Sequence, residues 1–274
     1  MIDHSPLGRA SAYPDHYDAS LLFPIAREHN RTQLSAATAR PASGADIWTA
    51  YEVSWLNSRG KPQVAAATFI VPQDSPNIIE SKSFKLYLNS LNATRLPDTA
   101  TVRTMLARDL SAAAKARVDV QLHTGADLDA LSIAALDGSV LDDQDIAIDT
   151  YTPQAELLSA DFSQPEISHT WVSRLLKSNC PVTGQPDWAD VQISYTGVPI
   201  DPAQLLRYIV SFRDHADFHE HCVERIFDDI LRVCRPGRLS VYARYTRRGG
   251  LDINPWRSTE ATQTPPVNAR TTRQ

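Results

Sequence analysis

This chain predicts an α+β protein made of two related modules, each running hairpin, helix, helix, strand. Three observations carry that expectation. Stretches rich in β-branched and aromatic residues flank short turns, and stretches with apolar residues at helical spacing follow them in pairs. The whole order then recurs in the second half, although the residues of the two halves are not visibly similar.

Residues 1–45 read as an arm rich in Pro, Ser, Ala and His, whose one apolar knot, Leu21-Leu22-Phe23-Pro24-Ile25, is expected to pack onto the body. Ile47 to Asn57 and Pro62 to Pro72 read as strands joined by the turn Ser58-Arg59-Gly60-Lys61. Phe84, Leu88 and Leu91 recur at helical spacing, and Thr101 to Arg117 reads as a longer amphipathic helix. Val118 to Leu122 alternates as a strand does. The acidic stretch from His123 to about Gln164 bridges the halves. Ile167 to Lys177 and Ala189 to Tyr195 form the second hairpin, Asp201 caps a helix to Phe212, and Phe218 to Cys234 is a helix with Val223, Ile226, Phe227, Ile230 and Leu231 on its apolar face. Arg238 to Tyr245 closes the repeat as a strand. The division expected is an arm (1–45), a first module (46–150), a second module (151–257) and a polar tail (258–274), the tail loose unless a partner subunit holds it.

A chain of 274 residues with 42% hydrophobic and 22% charged residues has the composition of an ordinary soluble globular protein. Its net charge of −5 leaves no basic excess to neutralise phosphates, which argues against a general nucleic-acid partner or an acidic membrane surface. No apolar run approaches the ~20 residues that span a bilayer. The start, Met1-Ile2-Asp3-His4-Ser5-Pro6, lacks the basic and apolar regions of a secretory signal. The odd count of 3 cysteines, at 180, 222 and 234, fits a reducing cytoplasm rather than a disulfide framework.

Chemistry concentrates in four stretches. In Ser178-Asn179-Cys180-Pro181-Val182-Thr183-Gly184-Gln185-Pro186-Asp187-Trp188 the Pro and Gly residues make a rigid turn that can hold one thiol at a defined place rather than bury it, with Asp187 across the turn. A displayed nucleophile and a hairpin connection with an incidental Cys both remain open on that loop alone. Asp214 to Cys222 holds His215, His219 and His221 with Glu220; on a helix His215, His219 and Cys222 share one face, a zinc-like spacing, while Cys222 also falls in the apolar register of a core thiol. A metal site, a structural helix start and a substrate-facing His219-Glu220 pair are the three readings. Glu80-Ser81-Lys82 suits a helix cap, but Lys82 and Lys85 in the same first turn suit a bound anion better. Arg247-Arg248-Gly249-Gly250 combines bidentate donors with backbone that permits close approach to an anion; an exposed basic turn is the plainer alternative. No Gly-x-Gly-x-x-Gly follows a strand, so a Rossmann domain is not supported.

Taken together these stretches resemble the NADPH-dependent nitrile reductases of queuosine biosynthesis, the 7-cyano-7-deazaguanine reductase (QueF) family. Glu80 to Tyr87 is similar to its signature, Ser178 to Trp188 to its nucleophile loop, Phe218-His219-Glu220 to its substrate loop and Arg247 to Pro255 to its C-terminal element. With the signature in the first half and the Cys in the second, the chain resembles the two-module branch. The resemblance implies a tunnelling fold, with each module an antiparallel sheet backed by two helices, and a homodimer with sites at module or subunit interfaces. It also implies reduction of the nitrile of preQ0 to the amine of preQ1 with two NADPH and no metal. Carried over residue by residue, it makes Cys180 the nucleophile, Asp187 its proton acceptor and His219 the residue that positions substrate and assists proton delivery. Ile79, Glu80, Ser81, His219 and Glu220 become substrate contacts, and Ser81, Lys82, Arg247, Arg248 and Gly249 NADPH contacts. Two rivals stay open: a zinc hydrolase of the same fold using Cys180 or Cys222 with His215 and His219, and a non-catalytic purine or pterin binding module.

Overall fold

The computed structural model describes Pro14, residues 16–34 and residues 41–274, so much of the expected arm lies outside the described residues. In chain order its elements are β1 (Pro24–Ala26), α1 (Glu28–Arg31), β2 (Ser43–Leu56), β3 (Pro62–Pro72), β4 (Asn77–Ile79), α2 (Ser81–Asn89), α3 (Thr99–Ala114), β5 (Asp119–His123), α4 (Ala126–Asp129), β6 (Ser139–Val140), β7 (Ile167–Asn179), β8 (Pro186–Gly197), α5 (Pro202–Ser211), α6 (His219–Cys234), β9 (Arg238–Tyr245) and β10 (Leu251–Ser258). They make a mixed α+β protein of two compact units. The first takes the described part of Met1–His29 with Asp46–Ser132 and Arg247–Asp252; the second takes the described part of Asn30–Ala45 with Ile133–Thr246 and Ile253–Gln274. No helix among the described residues is long and apolar enough to cross a membrane.

In the first unit β2 and β3 are joined by a turn in which the Asn57 side chain accepts from the N–H groups of Arg59 and Lys61, both at 3.0 Å. β5 pairs antiparallel with β3 from Ala66↔His123 to Ile70↔Asp119. Alternation sends Trp48 of β2 and Phe69 of β3 to one face, where both meet Phe84 of α2 with ring centroids 5.3 Å and 5.0 Å apart. Val102, Leu106 and Leu110, one stripe of α3, are fully buried. The apolar knot packs as expected: Ile25 is buried, and β1 pairs with β4 in register Pro24↔Ile79.

In the second unit the strand order is β10-β9-β8-β7-β6. All neighbours are antiparallel except β6 with β7. Val191, Ile193, Val241 and Ala243 of the strands face Leu205, Ile209, Cys222, Ile226 and Ile230 of the two helices in one buried cluster. Asp201 caps α5 as expected, accepting from Ala203 and Gln204 N–H.

Four expectations are corrected. Residues 133–150 join the second unit rather than the first, because β6 pairs with β7 and Leu141 is buried in the second core. Residues 247–252 join the first, held by the Tyr51 hydroxyl donating to Asp252 at 2.6 Å. Leu251–Ser258, for which the sequence predicts no strand, is a strand with all 8 residues buried. Asp252, Asn254 and Arg257 break its apolar alternation, but each has a buried partner, the Thr49 N–H, the Tyr245 N–H and Glu224 respectively, so the strand tolerates them. The end of the polar tail is not loose: the Gln274 amide is buried among hydrogen bonds to Arg244, Tyr245 and Asn254.

Candidate active site

The turn that carries Cys180 is closed by two reciprocal bonds, Cys180 N–H to the Gln185 carbonyl at 2.9 Å and Gly184 N–H to the Cys180 carbonyl at 3.0 Å. Gly184 sits at φ +67, where only a residue without Cβ is unstrained. The turn is not an open display, however. Pro181 to Gln185 are exposed while Cys180 itself is buried, at 4% exposure. The reason is the segment leading into α6, which is stitched to the end of β7: Asn179 N–H donates to the His215 carbonyl at 2.8 Å, and Asp217 N–H to the Asn179 carbonyl at 3.0 Å.

The same stitching brings α6 to the hairpin. Asp187, at 2% exposure, stands opposite Ser178 in the β7–β8 ladder, and its Oδ2 lies 3.3 Å from His219 Nε2. The His219 ring rests flat on Tyr245, with centroids 3.8 Å apart and planes 2° from parallel. Glu220 follows in the first turn of α6, buried at 3% exposure. Thus Cys180, Asp187, His219 and Glu220 are gathered in the second unit.

His215 lies outside α6, at the end of a 3-10 turn (Phe212–Asp214), so it does not share a helical face with His219 and Cys222. Cys222 is fully buried in the second core, and burial pushes its thiol far above the ordinary range. Burial likewise raises Cys234 to about 12. Asp217, which the sequence did not single out, anchors this helix start. It accepts from Phe218 N–H at 2.8 Å and Asn30 Nδ2 at 3.2 Å, and His215 and His221 face its carboxylate. Burial alone would raise its pKa, but the hydrogen bonds from the two histidines hold the carboxyl far below the usual range. Farther along α6, Glu224 receives both Arg31 and Arg257, a buried cluster equally unread in the sequence.

The remaining candidates lie in the first unit. Ile79 ends β4 and is buried. Glu80 is the N-cap of α2, accepting from Lys82 N–H at 2.7 Å and Ser83 N–H at 2.8 Å. The capping role considered for it is therefore real, and its carboxylate retains further lone pairs for a ligand. Ser81 and Lys82 are half-buried in the first turn of α2. Arg247 lies over the Tyr51 ring at 5.1 Å, and Gly249, at φ +60, comes so close to α2 that an added Cβ would meet Lys85 Cδ at 3.4 Å. Arg248, half-buried, donates its N–H to Leu251. Glycine backbone against Lys85, with Arg247 and Arg248 beside it, is a donor set that fits a phosphate-bearing ligand.

Comparison with known proteins agrees across the chain. The family described as "Nitrile reductase, 7-cyano-7-deazaguanine-reductase N-term" matches residues 13–122, and the one described as "QueF-like protein" matches residues 186–264. An NADPH-dependent 7-cyano-7-deazaguanine reductase of Bordetella pertussis is 58% identical over 273 residues, covering 100% of this chain and 99% of that protein. Its namesake in Burkholderia vietnamiensis is 59% identical over 272 residues, covering 99% of each. A solved structure of the archaeosine synthase QueF-Like in the apo form aligns with 37% of this chain and 99% of its own at a TM-score of 0.31 and 14% identity, too distant to carry an argument.

Proposed function

The chain belongs to the family of NADPH-dependent 7-cyano-7-deazaguanine reductases, and on that footing we propose that it reduces the nitrile of 7-cyano-7-deazaguanine (preQ0) to the aminomethyl group of preQ1 through a thioimidate on Cys180. The observation that carries the mechanism is the meeting of Asp187 and His219 at the mouth of the hairpin whose turn holds the thiol. A nitrile carbon is a weak electrophile, so covalent catalysis divides its reduction into easier steps. Cys180 loses its proton to Asp187 and adds through sulfur to the nitrile carbon, and the proton passes to the nitrile nitrogen, giving the thioimidate. NADPH, when bound, supplies the hydride for each of two reductions. After the first, the sulfur leaves as thiolate and the substrate becomes an imine; the second gives the amine, with His219 delivering a proton to nitrogen.

Burial of Cys180, Asp187 and Glu220 supports this reading, because a dry site strengthens each of these interactions. Glu220 and Glu80 are the proposed acceptors for the N–H groups of the deazaguanine edge, with Ile79, Ser81 and His219 as further contacts. Ser81, Lys82, Arg247, Arg248 and Gly249 are proposed to hold the cofactor, the cations its phosphates. The wider reading is a cytoplasmic homodimer of tunnelling-fold modules serving queuosine tRNA-modification biosynthesis.

Intact-mass spectrometry of the protein mixed with preQ0 and no NADPH tests the covalent step. The expected result is an adduct of full ligand mass in wild type and none in Cys180→Ala. An active wild type without the adduct would end the mechanism.

A further inference from the structure

His219 is held along one edge by Asp187, but its face rests on Tyr245, and a flat ring-on-ring contact gives little resistance to sliding unless the lower ring is itself fixed. The Tyr245 backbone is fixed by a device at the far end of the chain. Its N–H donates to Asn254 Oδ1 at 3.2 Å, and its carbonyl accepts from Gln274 Nε2 at 2.8 Å. The same Gln274 Nε2 donates to Asn254 Oδ1 at 2.8 Å, so one amide ties both sides of the Tyr245 peptide. Gln274 Oε1 accepts from Arg244 Nε at 2.8 Å and from Thr271 N–H at 2.9 Å. Both donors and both lone pairs of the amide are therefore used, in a socket where Gln274 is 4% exposed.

We propose that Gln274 is a positioning residue for His219, acting through Tyr245. The role of His219 in the reaction rests on the function proposed above; the positioning does not. A buried amide with every hydrogen bond made allows one orientation only, and its loss leaves the Tyr245 carbonyl and Asn254 Oδ1 short of a donor. The strand then shifts by fractions of an ångström, and the ring above it moves as well.

The test uses Gln274→Ala and the isosteric Gln274→Glu, which keeps the acceptor oxygen but loses both donors. Asn268→Ala serves as control: it removes the 2.7 Å contact from the tail to Arg244 Nη1 and leaves Tyr245 untouched. Two quantities are read in the full-length protein: the aromatic proton resonances of His219 without ligand, which the Tyr245 ring current shifts upfield, and the rate of adduct formation with preQ0. In both Gln274 variants the resonances are expected to move toward those of an unstacked imidazole and the adduct to form about tenfold more slowly, while Asn268→Ala matches wild type. Unmoved His219 resonances in both Gln274 variants, or an equal movement in Asn268→Ala, would overturn the proposal. If wild type forms no adduct, the proposed reaction fails while the His219 resonances still decide the role of Gln274.

Discussion

Set beside each other, the two units use one fastening and differ in what they fasten. In the first, the Tyr87 hydroxyl of α2 donates to Asp109 of α3 at 2.7 Å, and Ser90 Oγ donates to the Tyr87 carbonyl at 2.6 Å. In the second, Tyr208 of α5 donates to Asp229 of α6 at 2.7 Å, and Ser211 Oγ donates to the Tyr208 carbonyl at 2.6 Å. A carboxylate caps the first helix of each pair, Glu80 or Asp201. The second helix of each ends on a left-handed basic residue, Lys115 at φ 56 or Arg235 at φ 49. Burial pushes both tyrosines well above their ordinary pKa, so they remain donors. The divergence is at the hairpin. Between β2 and β3 the chain turns through Ser58 to Lys61, whereas between β7 and β8 it turns through Cys180 to Gln185. The helix-to-helix fastening is thus the same in both units while the hairpin turn differs, and the differing turn is the one to which the proposed chemistry is assigned.

The largest effect that would break this comparison is at the turns themselves. Cys180→Ala is expected to lower turnover by at least about a thousandfold, whereas Arg59→Ala in the other turn leaves steady-state rates with preQ0 and NADPH unchanged. Next comes the fastening. Tyr208→Phe should cost about 2 kcal/mol in urea unfolding. Tyr87→Phe should cost about half as much, because the same oxygen, Asp109 Oδ2, keeps a second donor in the Tyr17 hydroxyl at 2.6 Å, whereas the remaining donor to Asp229, Arg232 Nη2, serves its other oxygen, Oδ1; equal costs would refute that asymmetry.

Acid should separate the helix starts. Asp217 is depressed by its histidine hydrogen bonds working against burial, and Asp98, the exposed cap of α3, by the Thr101 N–H. A depressed folded pKa gives stability that is complete above the unfolded value of about 3.9 and lost as pH falls through the folded value. Wild type should therefore lose its advantage over Asp217→Asn as pH drops below about 4, measured by urea midpoints at stepped pH. The smallest expected effect is at the left-handed caps. Lys115→Gly should stabilise by about 0.5 kcal/mol, and Arg235→Gly by less, since Arg235 lies over the Phe162 ring at 5.9 Å.

What could be read from sequence was what local chemistry dictates. Asp201 announces a helix start, Gly184 a turn, and the stripe Val223, Ile226, Phe227, Ile230 a buried face. The Tyr–Asp fastenings were invisible because each joins residues on two helices, 22 positions apart in the first unit and 21 in the second. Tyr245 under His219 needed the knowledge that β9 lies beside β8 with Ala189↔Tyr245 in register. β10 was missed because Asp252, Asn254 and Arg257 look like loop residues until their partners are known.

The return of Arg247–Asp252 to the first unit also bears on synthesis. Tyr51 waits for Asp252, a partner 201 residues later, so the first unit cannot be completed on the ribosome until the segment carrying Asp252 has emerged. For the same reason a protein cut after Ser132 leaves an unfinished first piece, and the two lengths are expected to be recovered folded only when both are made in the same cell.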